Sequence, residues 1–367
     1  METSPQTSGT EAVATGHGAI ESPWRIFWRR LRRRKTAMAG GIILIVLYTM
    51  ALLAGFIAPY GYERQDRDRN FHPPMGLRFQ GIKPAVQQYV AGEGTAKYNK
   101  VAGKSTRLHF FVRGEKYKLL LFIPCSIHLF GTDDPNNPVY VLGTDAYGRD
   151  IFSRLLYGSQ ISLSIGLIGI MIRFTLGVSI GGISGYFGGA TDTVIMRGTE
   201  LIMSIPALYL ILALRATFPS DLSSTQMYLL IVLILSLVGW AGSARVIRGM
   251  ALSLRERQFV LAARTMGQSD WKIVWHHILP GTFSYVIVAA TLSVPYYMLG
   301  EVVLSYLGVG IQEPEASWGT MLSAAHEPEY LVNYPWLLAP GVAIFITVLA
   351  FNFLGDGLRD AADTKST

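Results

Sequence analysis

Six long apolar stretches constrain the fold of this chain more than any other feature of its sequence. They lie at about residues 38–58, 161–183, 201–218, 227–242, 283–307 and 336–354. Because about 20 apolar residues in a helix cross a hydrocarbon layer of about 30 Å, we expect each stretch to span a membrane. Charged residues make up 16% of the chain, against about 25% in a typical soluble protein. The sequence therefore predicts an all-α polytopic membrane protein with six transmembrane helices.

The polar and basic segments around these stretches predict the domain organisation. The longest of them follows the first apolar stretch and predicts a small extracytoplasmic α/β insertion. The predicted regions are a disordered cytoplasmic tail (1–22), an interfacial amphipathic helix (23–37), transmembrane helix 1 (38–59), the insertion (60–154), a core with helices 2–6 and a cytoplasmic loop at 245–281 (155–363), and a short tail (364–367).

Basic residues indicate how the chain is oriented. Seven of the 32 Lys and Arg residues lie between Arg25 and Lys35, directly before the first apolar stretch. The loop between spans 4 and 5 is also basic, whereas the loop between spans 5 and 6 contains no Lys or Arg. Since short basic loops stay on the cytoplasmic side, both termini are predicted to be cytoplasmic. This placement indicates contact with anionic lipid and argues against nucleic acid as a partner.

The segment at 23–37 has the pattern of a helix lying in the headgroup region. Its large apolar residues recur at helical spacing, with arginines on the other faces, and a disordered basic tail is the alternative. The apolar face consists of Trp24, Phe27, Trp28 and Leu31.

The sequence shows no pattern typical of catalysis, and we predict no catalytic residue, metal site or cofactor in this chain. Cys125 is the only cysteine, which excludes an internal disulfide and a cysteine cluster. The adjacent His276 and His277 would point about 100° apart on a helix and could not easily share a metal ion. Gly103-Lys104-Ser105 lacks the first glycine of a phosphate loop, since Tyr98 stands there. An intramembrane enzyme and a scaffold remain as alternatives.

Residues 257–280 predict a helical hairpin that protrudes between spans 4 and 5. Gly267 can end the first helix in a left-handed conformation, Ser269 can cap the second helix, and Pro280 is expected to stop it. Such a hairpin suits recognition by a partner groove, and packing on its own domain is the alternative. One face of the first helix carries Phe259, Ala262, Ala263 and Met266.

This hairpin resembles the EAA loop of ABC-importer permeases. The resemblance rests on A-A-x-x-x-G at 262–267, followed by I-L-P at 278–280. It implies that Ala262, Ala263, Gly267, Leu279 and Pro280 couple the chain to an ATPase. Two positions depart from the pattern. Leu261 stands where that family has Glu, and Gly281 stands where Asn is common.

Four further motifs resemble the dipeptide, oligopeptide and nickel permeases, and in particular their C-type subunit. The motifs are LGTDAYGRDIFSRLLYGSQISLSIG (142–166), GYFGGATD (185–192), LSYLGVGIQEPEASWGTML (304–322) and GDGLRDAAD (355–363). The resemblance covers nearly all of residues 24–363 and implies a type I importer fold in a bacterial inner membrane. Residues 70–140 are an expansion relative to that family.

The resemblance also implies partners and cargo. It implies a homologous second permease, two cytoplasmic ATPases that hold ATP and Mg²⁺, and an extracytoplasmic substrate-binding protein. Substrate would then cross by alternating access. Short peptides are the implied cargo, with nickel chelates or another small solute as the alternative.

Other polar and kinked positions are candidates for function. Glu301 and Pro295 lie in span 5, and an intramembrane carboxylate predicts either a place in the substrate path or an interhelical hydrogen bond. Arg173 in span 2 is also an intramembrane charge, and it is expected to face either the pore or the subunit interface. Residues at the predicted outer face are candidates for contact with the binding protein, with a structural role as the alternative. They are Asp145, Arg149, Glu313, Glu315 and Trp318.

Overall fold

The computed structural model describes residues 22–80, 83–92, 98–120, 122–132, 137–219 and 222–363. Of the predicted tails at 1–22 and 364–367, residues 1–21 and 364–367 lie outside the described residues. The helices, in chain order, are α1 (Pro23–Arg33), α2 (Lys35–Leu52), α3 (Ala54–Ile57), α4 (Ile151–Phe187), α5 (Gly189–Ser204), α6 (Ala207–Ala216), α7 (Ser224–Arg255), α8 (Gln258–Thr265), α9 (Asp270–Ile273), α10 (Leu279–Gly281), α11 (Phe283–Tyr306), α12 (Trp318–Ser323), α13 (Pro328–Asn333) and α14 (Ala339–Ala362).

The helices confirm the predicted fold class. Within the described residues, five helical segments are long and apolar enough to cross a membrane, and the bent pair α5–α6 would make a sixth span. The five are α2, α4, α7, α11 and the segment Pro335–Ala362, which includes α14. Helix α4 has 37 residues and α7 has 32, so both extend well beyond the apolar stretches that predicted them.

The third predicted span is not one continuous helix, so that prediction was wrong. Helices α5 and α6 meet at an angle of 88°. The break falls at Ile205, which is extended, and at Pro206, which occupies the N-cap of α6. A proline clashes with a helical conformation of the residue before it and lacks an N–H for the helix ladder. The bend therefore follows from the proline that the apolar pattern had placed inside a span.

Helices α4 and α7 pack backbone to backbone along three glycines of α4. A Cβ atom added at Gly177 would approach the Ser243 side chain, one at Gly181 the Ala244 carbonyl, and one at Gly185 the Arg248 carbonyl. Small residues spaced by four allow such close approach in membranes, where apolar side chains gain nothing by leaving lipid. The close α4–α7 pair forms the centre of the bundle.

The insertion after α3 consists of two antiparallel sheets on one side of the bundle, here called the insertion side. One sheet has the order β1 (Leu77–Gln80), β2 (Lys83–Ala91) and β3 (Tyr98–Arg107), and the other pairs β4 (His109–Leu119) with β5 (Ile123–Gly131). The helical part of the described insertion is a single 3₁₀ turn at Arg67–Arg69. The core of the insertion contains Tyr60, Met75, Val86, Val139 and Tyr140.

The stability of the insertion is expected to depend on His72. This imidazole is buried among the rings of Tyr89, Tyr98 and Tyr140 and contacts the Pro73 carbonyl through Nδ1 at 2.7 Å. Burial lowers the pKa of His72 from 6.5 to about 4. The folded insertion therefore binds a proton less readily than the unfolded chain. The resulting stability is fully present above pH 6.5 and is lost as the pH falls toward 4.

We predict that acidification from pH 7 to pH 5 costs the insertion about 2 kcal/mol through His72 alone. The measurement is the thermal unfolding midpoint of the purified protein at both pH values, compared with His72→Gln. Glutamine keeps a donor for the Pro73 carbonyl but does not titrate. The wild-type midpoint should fall further on acidification than that of the variant. Equal pH dependence of the two proteins would contradict the prediction.

Candidate functional site

The hairpin predicted between spans 4 and 5 is present on the side of the bundle opposite the insertion. Helix α8 ends before Gly267, which has the predicted left-handed conformation with φ of +76°. Ser269 stands at the N-cap of α9 without a capping hydrogen bond from its side chain. Pro280 was predicted to stop the second helix, but it does not. A π-helical turn at Val274–Ile278 precedes it, and the wider turn accommodates the missing N–H.

One face of the hairpin packs on its own chain. Its buried side chains include Val260, Ala263, Ile273, Ile278 and Leu279, which cluster with Tyr186 at the end of α4 and Ala251 of α7. Ala263 and Leu279 were predicted to couple the chain to an ATPase. Both are buried, and they hold the hairpin against α4 and α7, while their coupling role stays a prediction.

The other face of the hairpin is exposed and apolar. Phe259, Ala262 and Met266 are exposed as predicted, and Gly267 and Pro280 are exposed beside them. Two tryptophans that the sequence analysis missed, Trp271 and Trp275, extend this surface. Their spacing of four residues on a helix was the signal that could have identified them. An exposed apolar surface of this kind marks an interaction site.

Polar contacts fix the hairpin to the end of α4. The Tyr186 hydroxyl donates to Asp270 Oδ1 at 2.6 Å, and Arg264 lies 3.8 Å from the same carboxylate. Nearby, Asp192 accepts hydrogen bonds from Ser184 Oγ at 2.6 Å and from Arg248 of α7. The end of α4, the start of α5, α7 and the hairpin are therefore joined.

On the insertion side, an ion-pair network of two buried arginines and a partly exposed carboxylate joins the start of α4 to the loop between α11 and α12. Arg149 donates to Asp145 Oδ2 at 2.7 Å and pairs with Glu313. Arg154, which the sequence analysis missed, lies 3.1 Å from Glu313 Oε1. Burial lowers the pKa of Arg149, but the hydrogen bonds and charges of Glu313 and Asp145 outweigh it and raise that pKa overall.

This network changes the interpretation of the predicted binding-protein contacts. Asp145 and Arg149 are buried, and Trp318 is almost completely buried with its indole N–H donating to the Leu155 carbonyl. Little of these three side chains is accessible to a partner, which fits the structural alternative, and their contact with a binding protein stays a prediction. Glu315 is partly exposed and accepts a hydrogen bond from the Tyr62 hydroxyl. Asp150 caps α4 by accepting a hydrogen bond from the Ser153 N–H at 2.8 Å.

Glu301 lies in a closed cluster of hydroxyl groups. Its carboxylate accepts hydrogen bonds from Ser162 of α4 at 3.2 Å, Ser305 of α11 at 2.7 Å and Ser317 before α12 at 2.6 Å. The side chain is completely buried, and Pro295 is buried as well. Glu301 and Pro295 therefore do not line an open cavity in this structure, and their place in a substrate path stays a prediction. The hydrogen bonds of Glu301 match the alternative prediction, which was an interhelical hydrogen bond.

Arg173 lines an open cleft at the break between α5 and α6. The cleft has a volume of about 510 Å³ and includes Pro206, Gly239 and Tyr296 in its wall. The Arg173 guanidinium donates to Ser243 Oγ at 2.8 Å. Within the described part of the chain, no carboxylate lies at ion-pair distance from Arg173. The cleft is therefore lined mainly by apolar groups and carries one cation without an anionic partner.

The imidazoles of the hairpin contact neighbouring oxygens. His276 Nδ1 lies 3.2 Å from the Lys272 carbonyl, and His277 Nε2 lies 3.0 Å from Gln268 Oε1. Among the residues that the structure describes, no group of three or more His, Cys, Asp or Glu side chains could hold a metal ion.

Two family descriptions match the sequence. Residues 177–366 match the family described as binding-protein-dependent transport system inner membrane component. Residues 22–74 match the N-terminal TM domain of oligopeptide transport permease C. The two matches together include α1, the first span and most of the helical core.

Individual relatives are similar over most of the chain. The dipeptide transport system permease protein DppC of Bacillus subtilis (strain 168) is 33% identical over 92% of this chain and 84% of that protein. The glutathione transport system permease protein GsiD of Pectobacterium atrosepticum is 31% identical over 95% of this chain and 93% of that protein. The oligopeptide transport system permease protein OppC of Bacillus subtilis is 38% identical over 65% of this chain and 76% of that protein.

We predict that Glu313 stabilises the subunit, whereas Glu315 does so only weakly. Glu313→Gln leaves two buried guanidinium groups without their shared carboxylate. Removing one member of a buried ion pair costs about 3–5 kcal/mol. Because the Glu313 side chain is 42% exposed, solvent screening should reduce that cost. Glu315→Gln, two residues away, removes one charge from a single hydrogen bond and serves as the control.

The measurement is the thermal unfolding midpoint of each purified variant. Glu313→Gln should lower it clearly, and Glu315→Gln should leave it close to the wild-type value. Equal midpoints for the two variants would show that the network does not hold the α11–α12 loop.

Proposed function

This chain belongs to the family of inner membrane components of binding-protein-dependent transport systems, and from that premise we propose how it works as a permease subunit. It is a multi-pass membrane protein of a peptide-importer permease family. We propose that it performs no catalysis itself, that it pairs with a homologous permease, and that two ATPases and a substrate-binding protein complete the transporter. The exposed apolar face of the α8–α9 hairpin is the observation that carries this proposal.

The proposed orientation places the hairpin in the cytoplasm and the insertion outside. The basic residues before α2 and around the hairpin support it, because short basic segments stay on the cytoplasmic side. Both termini are then cytoplasmic. The ATPases approach the hairpin, and the binding protein approaches the opposite side of the bundle.

The hairpin is proposed to transmit ATPase movement to the spans. Phe259, Ala262 and Met266 would lie in a groove of the ATPase, together with Trp271 and Trp275. The buried side of the hairpin would pass that movement on, since Tyr186 and Asp270 bind it to α4. A partner shifts the equilibrium between two states only by binding them with different affinities. ATP-dependent closure of the ATPases would supply that difference.

The Arg173 cleft is proposed as the part of the substrate path that this subunit contributes. It lies near the middle of α7 and α11, where a second permease could close its open side. Broken helices at a midplane cavity are typical of transport sites in membrane proteins. The Glu301 cluster is closed and does not compete with it for this role.

Short peptides are proposed as the cargo. The relatives named above carry dipeptide, glutathione and oligopeptide in their names, and all three are peptides. Peptides carry a carboxylate, and Arg173 supplies a cation without an anionic partner in the cleft. A cation inside a span is costly unless it faces water or an anion, so a passing carboxylate would complement it.

We predict that Met266→Glu detaches the ATPases from the permease. Met266 is 80% exposed at the end of the hairpin. A carboxylate there must be desolvated if the ATPase groove is apolar, and an unpaired buried charge is expensive. The measurement is the amount of ATPase that copurifies with tagged protein from its native membrane. Val332→Glu is the control, because Val332 is 81% exposed on the insertion side. Equal ATPase recovery with both variants would contradict the coupling role.

We predict that Arg173→Gln lowers peptide uptake without disturbing assembly. The variant removes the cation from the cleft but keeps a donor for Ser243. The measurement is uptake of labelled trialanine in cells that express the variant in place of the native chain. Copurification of the partners is measured in parallel. Arg245→Gln is the control, because Arg245 is exposed on α7 outside the residues that line the cleft. Unchanged uptake by Arg173→Gln would remove the cleft from the path.

A further inference from the structure

The turn of the β4–β5 hairpin exposes large apolar side chains on a domain that lies beside a membrane. Leu120, Phe122 and Ile123 are exposed at this turn, and Phe122 is 75% exposed. Pro124 is exposed next to them. We call Leu120, Phe122 and Ile123 the hairpin tip. Exposed apolar groups clustered at one end of a hairpin mark an interaction site.

Contacts along α4 show which way the hairpin runs. At its base, the Phe130 ring lies 6.0 Å from the ring of Phe152, in the first turn of α4. Nearer the tip, Tyr117 and Lys118 line a cleft together with Gln160 and Ile161 of α4. From Phe152 to Ile161, α4 advances by about 13 Å into the bundle. The hairpin therefore descends along α4 from the insertion toward the membrane.

Contacts with the end of the first span fix the position of the β4–β5 hairpin along α4. The Tyr117 ring packs against Gly55 of α3, where an added Cβ atom would collide with the ring. Glu115 Oε2 accepts a hydrogen bond from the Gly61 N–H at 2.9 Å, and His128 Nδ1 lies 2.6 Å from the Ala58 carbonyl. The hairpin is thus fixed where the first span leaves the bilayer.

The tip continues the apolar surface of the first span. Ile45, Val46 and Leu52 of α2 are exposed, as expected for side chains that face lipid. Lys116 and Lys118 precede the tip and are exposed. Lysines with apolar stems and charged heads suit the headgroup level, with apolar groups immediately below them. In the last turn-proximal residues of β4, exposed lysines are therefore followed by exposed apolar residues, which is the order of headgroups and acyl chains.

We propose that the β4–β5 hairpin inserts its tip into the leaflet of the bilayer on the insertion side. Leu120, Phe122 and Ile123 contact acyl chains, and Lys116 and Lys118 contact lipid phosphates. The hairpin thereby ties the insertion to the membrane surface next to the first span. The insertion would then have a fixed height above the bilayer.

The test places a fluorescent probe at the tip. Cys125→Ser removes the native thiol, Phe122→Cys supplies a single labelling site, and bimane is the label. The full chain is purified with its copurifying partners and reconstituted in phosphatidylethanolamine–phosphatidylglycerol nanodiscs. Quenching is measured with lipids brominated on the acyl chain and with aqueous iodide. Phe79→Cys is the matched control, because Phe79 is 74% exposed on β1 of the other sheet.

The tip probe should lose emission with brominated lipid and resist iodide, and its emission should shift to the blue. The control probe should show the opposite response. A tip probe quenched by iodide as strongly as the control would place the tip in water and overturn the proposal. Protection from both quenchers would mean that another protein surface covers the tip, which also overturns it.

Discussion

The close approach of α4 and α7 is the constraint on which the other features depend. In lipid, apolar side chains gain little by packing against each other, so helices associate through close backbone contact and hydrogen bonds. Gly177, Gly181 and Gly185 remove the side chains that would keep these two helices apart. Helices α5 and α6 then pack on α7, helices α2 and α11 pack on α4, and α14 packs on α2 and α11.

Helix α4 connects every site described above because it runs from one side of the bundle to the other. Its first turns hold Arg154 beside Glu313, and its middle contributes Ser162 to the Glu301 cluster and Arg173 to the cleft. Its end holds the α8–α9 hairpin through Tyr186. A displacement of the α8–α9 hairpin would therefore be passed on to α4. It must move α4 as a body or rearrange the less enclosed helices α5 and α6, whose exposed side chains include Val194, Leu201 and Tyr209.

Local patterns predicted the features that depend on neighbouring residues. Apolar length identified the spans, and Gly267 identified the turn of the α8–α9 hairpin. Each of these rests on a preference of the backbone within a few residues. Pro206 was also visible in the sequence, but its effect depends on whether neighbouring helices compensate for the lost hydrogen bond, and here they do not prevent a break.

Features that depend on distant residues could not be predicted in the same way. Helical spacing placed Ala263 on one face with Phe259 and Met266, but it could not show that α4 and α7 cover only Ala263. Arg149 and Glu313 are 164 positions apart, and nothing in either segment indicates that they pair. From its own segment alone, an acidic residue in a loop is expected to be solvated. Its pairing becomes visible only when the fold brings an arginine beside it.

The ionisable groups of the bundle differ in how their burial is offset. Arg149 and Arg154 share Glu313 and have Asp145 nearby, so two cations meet two anions within one subunit. After the cost of desolvation, such a network adds little to the free energy of unfolding compared with apolar packing. Its effect is to hold two distant segments in one arrangement. Glu301 is offset by three hydroxyl groups from three parts of the chain. Arg173 has the hydroxyl groups of Ser243 and Tyr297 and the ring of Phe174 as neighbours, and it lines an open cleft. The first two sites are satisfied within this chain, whereas Arg173 lines an open cleft without a carboxylate partner among the described residues, and this difference is why we propose the cleft as the place where an anionic substrate passes.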